Sequence, residues 1–531
     1  MKILLIQPPL EDFYDTSIRT YPLGLLYLGA AVRDLSDVVL VDARTGFKGR
    51  PSKGEPPAGL EDYYRADRIT PFSLFQKYRY FGMTREALAY KIAGEKPDMV
   101  AISSLFATFS VEAIEVARIA KVVDPRIITV IGGIHPTLFP RDVLSHPSVD
   151  FVIRGEGETP FRNLVKRLVE GEDGRIAGVC YKDDETMRIG PINLETEMDM
   201  LPDRSLLRPE KYRIGRRKYG TMITSRGCPN HCSFCGKPAI PYRRRPLPRI
   251  EAEIIDCLDY GIQAIDFQDD MLTGDIPFFR DLLGLFAGRG LTLSAMNGIY
   301  TKGIDEDTLD LMYEAGFRRL NFSLVDASES LLSSQNRAGI APFVRLLPYL
   351  ETSPFLVEVH FIVGLPSQTP AQVLETILFL MDKRLLLGPS IFYLAPGSPI
   401  FKRTIGEEWR PLLKSLRSSA MLPVNPLFQR RTTFTLMKLV RFVNYIKGLL
   451  DRQELSCRIS AWIENAPGRE AVEAEVLRAL LSQKRFVWYD TVCGGMMDEP
   501  QDLDLVHLFF AMARGKKVKG FRTHNELVID V

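Results

Sequence analysis

Residues Thr221 to Pro238 read TMITSRGCPNHCSFCGKP and hold three of the chain's seven cysteines, Cys228, Cys232 and Cys235. Their spacing is C-x3-C-x2-C. The β-branched run Thr221-Met222-Ile223-Thr224 reads as a strand entering a loop. Gly227, Pro229 and Gly236 then break regular structure around the thiols. A loop this short can place three sulfurs around one small inorganic core. Three thiolates suit either zinc or an iron–sulfur cluster. A structural zinc site asks for a fourth ligand, usually from a second Cys/His pair. Here Cys180, Cys257, Cys457 and Cys493 stand apart, and His231 inside the loop has no paired partner. Three thiolates on a four-iron cluster leave one iron without a protein ligand, open to a substrate or cofactor.

The rest of the chain frames this loop. At 531 residues it is too long for one ordinary core, so two or three domains are expected. Hydrophobic content of 46% and charged content of 25% are those of a globular protein. A net charge of +2 gives no general pull toward nucleic acid. Clustered rather than dispersed cysteines point to a reducing compartment and metal binding instead of disulfides. The opening MKILLIQPPL is too short for a signal peptide, and no run approaches the ~20 apolar residues that span a bilayer. The expectation is a cytoplasmic protein without a membrane span or a nucleic-acid partner.

The N-terminal part alternates strands and helices, the pattern of a parallel sheet covered on both faces. Strands are expected at Lys2–Ile6, Val38–Val41, Met99–Ser103, Ile127–Ile131 and Phe151–Ile153, with helices after Tyr21 and over Val111–Lys121. Such sheets bind ligands beyond the carboxyl ends of their strands. The loops there read Gly132-Gly133-Ile134-His135-Pro136-Thr137 and Arg154-Gly155-Glu156-Gly157-Glu158. Paired glycines let backbone approach a bulky ligand. Neither loop is the G-x-G-x-x-G fingerprint, which argues against NAD or FAD.

Residues 175 to 215 read as a connector. From Thr221 strands and helices alternate again, with strands at Thr221–Thr224, Ala264–Gln268, Thr292–Met296, Arg319–Ser323, Val357–Val363 and Ser390–Leu394. Parallel barrels do their chemistry at the C-terminal strand ends, where Asp269-Asp270, Ser323 and Asp326, Gly364, and Tyr393 fall. His360 also lies on a barrel strand. Residues 406 to 531 read as mainly helical, with an amphipathic stretch from Thr435 to Leu450 decorated by Lys438, Arg441 and Lys447. Packing against the barrel and membrane-surface contact are its two readings.

The cysteine motif with Phe234 before its last cysteine resembles the radical S-adenosylmethionine (SAM) signature. That resemblance implies a [4Fe-4S] cluster on Cys228, Cys232 and Cys235, SAM on its open iron, and Phe234 near the adenine. It implies a partial (β/α)6 barrel over residues 216–405. In it Asp269 and Asp270 would meet the SAM amino group, Ser323 or Asp326 would replace a missing strand-four glutamate, and Gly364 of Gly-Leu-Pro would admit the adenine. The Pro-Pro loop, Pro97-Asp98-Met99-Val100, Gly-Gly-x-His-Pro-Thr and Gly-Glu-Gly-Glu together resemble the cobalamin-binding domain that precedes many radical SAM domains. By that likeness residues 1–175 form a doubly wound Rossmann-like domain. Gly132, Gly133, His135 and Pro136 would lie along cobalamin, Pro8 and Ser103 would flank the corrin, and Gly155 and Glu156 would border it. The D-x-H-x-x-G motif that supplies a cobalt ligand elsewhere is absent, since Asp42-Ala43-Arg44-Thr45-Gly46 carries no histidine.

The fold class expected is therefore α/β: a doubly wound cobalamin-binding domain, a connector over 176–215, a radical SAM barrel and a helical region over 406–531. The implied activity is cobalamin-dependent radical SAM methylation of an unactivated carbon. One SAM would methylate the reduced cobalamin, and another would give a 5′-deoxyadenosyl radical that abstracts a substrate hydrogen. Tyr393 is the residue expected to face substrate. Cyclisation or rearrangement without net methylation is the first alternative. Methylthio transfer and a non-catalytic cobalamin-binding protein rank below it. A small-molecule, lipid or tetrapyrrole substrate and a one-electron donor such as flavodoxin or ferredoxin complete the expectation.

Overall fold

A computed structural model describes the chain except for residues 14–20, 53, 66, 75–76, 172–173, 185, 239, 406–408, 453–458, 467–468 and 530–531. Cys457 lies outside the described residues.

Near-continuous apolar runs build the first sheet. Strands β1 (Lys2–Gln7), β2 (Asp37–Asp42), β3 (Met99–Ser103), β4 (Ile128–Gly132) and β5 (Phe151–Ile153) are parallel, in the order β2-β1-β3-β4-β5. Ile3, Leu4, Leu5 and Ile6 of β1 are all fully buried, because helices cover both faces and no position can be polar. Two apolar layers result, one centred on Leu4, Ile6, Val100 and Ile102 and the other on Ile3, Leu5, Met99 and Ala101. Among the covering helices are α1 (Leu23–Val32), α2 (Arg85–Glu95), α3 (Ser110–Val123) and α4 (Glu158–Glu170).

The connector is not merely a linker. Strands β6 (Val179–Asp183) and β7 (Thr186–Arg188) form a hairpin that pairs antiparallel with β5 and extends the sheet. The alternation of Val179, Cys180 and Tyr181 supplied too short a pattern to show this. Cys180 is fully buried there.

Six further parallel strands follow in sequence order: β8 (Arg217–Met222), β9 (Ala264–Phe267), β10 (Thr292–Ser294), β11 (Arg319–Val325), β12 (Leu356–Val363) and β13 (Leu386–Ile391). Bridges at Leu293–Phe317 and Ile299–Phe322 join the two halves. This is a partial (β/α)6 barrel. The last strand begins earlier than its sequence suggested, so Tyr393 stands two residues beyond it.

The barrel leans on the C-terminal region through α5 (Arg430–Asp451). Asn444 accepts from Leu387 N at 3.1 Å and donates to Leu387 O at 2.8 Å, covering the outer edge of β13. The helix is no surface amphipath. Lys438 and Lys447 are 1% and 0% exposed, Lys438 is ion-paired to Glu499 at 2.7 Å, and the membrane-surface reading falls with them. No helix among the described residues is long and apolar enough to cross a membrane. The region also carries two hairpins, and Val487–Asp490 pairs with Arg68–Ile69 from the N-terminal part.

Candidate functional site

The cysteine loop leaves β8 and is pinned at several points. Gly227 has φ +83°, and a Cβ there would lie 2.2 Å from Pro241 O, so only glycine fits. Cys235 N donates to Cys232 O at 3.1 Å. Asn336 donates to His231 O at 3.1 Å, and Ile400 N donates to Ser233 O at 3.1 Å. Ser233 and Gln335 share a further side-chain hydrogen bond. The loop is thus held from both sides before any metal binds.

Burial is the main cause that pushes the Cys228 and Cys232 thiols above the ordinary range, and the neighbouring cysteines add to it. A cationic core relieves both effects by taking the protons' place. Among the described residues no three His, Cys, Asp or Glu side chains converge as they do around one ion. Three thiols drawn from one short loop are a donor set that suits an iron–sulfur cluster with one iron left open.

Three adjoining cavities surround the loop. The first, about 1380 Å³ counting its open mouth, lies beyond the carboxyl ends of β3, β4 and β5 and reaches Ser225, Arg226 and Gly227 on the barrel side. Ser103, Gly132, Gly133, Gly155, Glu156 and Asp270 all line it. The second, about 970 Å³, shares Leu105, Ile134 and Lys237 with the first and is lined by Phe234, Cys235 and Tyr393. The third, about 1830 Å³, runs into the barrel interior past Met296, Asn297, Ser323 and His360. Phe234, Ile362 and Tyr393 line both the second and the third. Shared wall residues thus set the three cavities side by side, from the first sheet's strand ends, past the cysteine loop, to the barrel interior.

Several residues expected at the cofactors are placed elsewhere. His135 is fully buried, with Nε2 3.5 Å from Asp142 Oδ2 and its ring against Phe139 and Trp409. Neither His135 nor Pro136 lines these cavities. They pack the short helix behind the wall, and the part of the motif that lines the cavity is Gly132, Gly133, Ile134 and Thr137. Gly133, at φ +127°, is required by the backbone: a Cβ would meet Ser104 O at 2.4 Å. Pro8 lines none of these three cavities. Asp42, at the start of the histidine-less loop, accepts from Arg44 N and Thr45 N at 3.0 Å and from the Tyr212 hydroxyl.

Asp269 is a brace, not an open ligand. Its carboxylate is 3% exposed and accepts from Thr224 N and Oγ1 and from Ser225 N and Oγ, at 2.6–3.1 Å. Burial pushes its carboxyl upward against those donors. It fastens β8's exit to β9's end. Its neighbour Asp270 faces the first cavity and pairs with Lys237.

On β12's loop, Gly364 N donates to Gln368 Oε1 at 2.7 Å, and Gly364 does not line these cavities. Gln368 Nε2 donates to Asp326 Oδ2 at 2.7 Å, and Asp326 also accepts from Ser328 N at 2.7 Å. Asp326 is therefore spent internally, and of the two strand-four candidates Ser323 faces the third cavity.

Sequence reasoning passed over Arg337. Its Nη1 lies 3.8 Å from Cys232 Sγ, its Nη2 donates to Ser323 O at 2.9 Å, and it covers the Tyr300 ring at 4.5 Å. No motif marks it. The chain's own arginine-rich run after the loop also hid Arg243, which pairs with Glu156.

Two family models match this architecture: a B12 binding domain over residues 76–165 and the radical SAM superfamily over residues 222–380. The chain thus joins a B12-binding domain to a radical SAM domain. Among its relatives, cytidylyl-2-hydroxyethylphosphonate methyltransferase of Streptomyces wedmorensis is 26% identical over 69% of this chain and 73% of that protein. An uncharacterized methyltransferase of Pyrococcus horikoshii is 28% identical over 83% of this chain and 91% of its own length. An anaerobic magnesium-protoporphyrin IX monomethyl ester cyclase of Cereibacter sphaeroides is 26% identical over 65% of this chain and 58% of that protein. The radical SAM methyltransferase TsrM of Kitasatospora setae, solved with cobalamin and a [4Fe-4S] cluster, shares the fold at a TM-score of 0.57 and 19% identity, over 76% of this chain and 74% of that one.

Proposed function

We propose that this enzyme transfers a methyl group from SAM, by way of cobalamin, to an unactivated carbon of a small molecule. The observation that carries the reading is the row of adjoining cavities, sharing wall residues, from the B12-binding domain's strand ends, past the cysteine loop, to the barrel interior. The methyltransferase names of two relatives that span most of the chain support it.

In this reading Cys228, Cys232 and Cys235 hold a [4Fe-4S] cluster. When bound, the cluster supplies the electron that splits SAM to a hydrogen-abstracting radical, and cobalamin supplies the methyl group. The chain's own residues position and enclose. Ser323 and Arg337, beside the cysteine loop, offer a hydroxyl and a cation to the SAM carboxylate. Phe234 gives an apolar face between two cavities. Ser103, Gly132 and Gly133 border the corrin. Tyr393, 38% exposed where the second and third cavities meet, faces the substrate. Residues 1–175, extended by the hairpin to Arg188, serve as the cobalamin unit, 216–405 as the reacting barrel and 406–531 as its brace. No side chain need act as acid or base, because positioning and exclusion of water are the protein's contribution. A flavodoxin or ferredoxin in the cytoplasm is the electron source that suits such a cluster.

The test is anaerobic reconstitution with iron, sulfide and hydroxocobalamin, followed by counting SAM products. Methyl transfer releases S-adenosylhomocysteine alongside 5′-deoxyadenosine. Deoxyadenosine alone, with bound corrin, sinks the methylase. It favours the second reading, cyclisation or rearrangement, for which the cyclase relative speaks.

A further inference from the structure

The two carboxylates of the Gly-Glu-Gly-Glu loop do not reach into the first cavity as free ligands. Glu158 is paired with Arg226, and Glu156 is paired with both Arg226, at 3.2 Å, and Arg243. Glu156 Oε2 also accepts from Glu195 N at 2.7 Å. The carboxylates belong to the loop after β5 and the start of α4, while both arginines belong to the barrel. Arg226 sits two residues before Cys228. All four side chains are largely withdrawn from solvent, at 9–22% exposure. Two negative and two positive charges balance, as a buried cluster must.

Arg226 is tied onward. The Tyr27 ring, from α1, has the Arg226 guanidinium 5.5 Å from its centroid and that of Arg245 at 5.9 Å. Arg245 pairs with Glu253 at 2.5 Å and donates to Ile223 O at 2.8 Å. Ile223, the first residue beyond β8 on the way to the cysteine loop, is thereby linked to the seam between domains. Gly155, Glu156, Glu158, Ser225, Arg226 and Gly227 all line the first cavity, so the seam is the cavity's own wall.

We infer that Glu158 and Arg226, with Glu156 and Arg243, form a latch that sets the separation between the cobalamin unit and the cysteine loop. Arg226 is a positioning residue: its guanidinium is committed to Glu156, Glu158 and the Tyr27 ring, and so fixes where the two cofactor-bearing units stand. This rests on the proposed two-cofactor reading. Methyl delivery needs both units at one distance, whereas SAM cleavage at the cluster needs only the barrel. The latch therefore matters to the first and not to the second.

The test compares wild type, Arg226→Gln, Glu158→Gln, the double variant and Arg226→Lys, all as reconstituted holoenzyme. Four quantities are read: iron per chain, 5′-deoxyadenosine formed, S-adenosylhomocysteine formed with excess reductant before any substrate is added, and the dissociation constant of the apo-protein for hydroxocobalamin by absorbance titration. The expected result is unchanged iron, deoxyadenosine within twofold, S-adenosylhomocysteine formation slowed at least tenfold and corrin binding weakened at least fivefold. The double variant should be no worse than either single, and Arg226→Lys should recover part of the loss. A parallel loss of iron, deoxyadenosine, S-adenosylhomocysteine and corrin affinity, or a loss in none of them, overturns the latch. If wild type itself forms no S-adenosylhomocysteine, the methyl-transfer reading fails, and the corrin titration alone decides the latch: equal affinities in all variants overturn it.

Discussion

Arg337 holds one guanidinium nitrogen 3.8 Å from the Cys232 sulfur while the other donates to the Ser323 carbonyl at 2.9 Å. One planar cation thus joins the cysteine loop to the end of the fourth barrel strand. Its charge is one of the causes that lower the Cys232 thiol against the upward push of burial. An anion arriving between Ser323 and the cysteine loop meets a fixed fork of donors.

Replacing Arg337 with glutamine should leave iron loading near the wild-type level and weaken SAM about tenfold, the loss of one charge-assisted contact. Arg337→Lys should recover little, since a point charge cannot bridge the sulfur and the Ser323 oxygen together. Equilibrium binding of SAM to the reconstituted protein checks this. Unchanged affinity in Arg337→Gln would remove Arg337 from the SAM site.

Cys235 lines the second cavity, beside Phe234 and Tyr393. Cys235→Ala should lose most of the cluster's iron and its broad visible absorption while the protein stays folded, because other contacts pin the loop. Stripping iron from wild type with a chelator should reproduce the mutant's loss of SAM binding. Full iron content in the mutant would mean that these cysteines are not the ligands.

Asp269 and Asp270 are neighbours with opposite fates. Asp269→Asn places an amide hydrogen against a ring of donors and should cost about 2–3 kcal/mol of stability, with poorer iron incorporation. Asp270→Asn, which breaks only a half-exposed pair with Lys237, should cost at most about 1 kcal/mol. Urea unfolding of the two apo variants measures the contrast, and equal midpoints would contradict the assignment of Asp269 as a brace.

The cysteine spacing, the succession of strands along the chain and the barrel's strand-end motifs could be read in the sequence because each is a local pattern with a physical cause. The 2.0-residue and continuous apolar periods mark strands, and the glycines mark turns. What could not be read was direction. Asp269 and Asp270 look alike in sequence, and only the fold shows which one turns inward. His135 sits in a motif that resembles a ligand site, yet its imidazole packs against Trp409, more than 270 residues away. Glu156 looks like a free acid beside a cofactor, but its partners Arg226 and Arg243 come from another domain. Lys438 and Lys447 look like surface charges because Glu499 and the two carbonyls that hold them lie far along the chain.

Lys447 gives the last prediction. Its Nζ donates to Lys383 O and Lys519 O, both at 2.8 Å, and a neutral amine has the two hydrogens these bonds need. Burial outweighs the nearby carboxylates and pushes its pKa down to about 7 from the usual 10.5. The folded state therefore binds fewer protons than the unfolded state between about pH 7 and pH 10.5. Stability should rise with pH across that window, by up to about 1.4 kcal/mol per pH unit from this group, and become flat in its contribution below it. Lys447→Met fills similar space without a titrating group, so the difference in unfolding free energy between mutant and wild type should shrink in favour of wild type as pH rises from 7.5 to 9.5. Urea unfolding at both pH values, on both proteins, gives the comparison. A difference independent of pH would show that Lys447 keeps its proton in the folded chain.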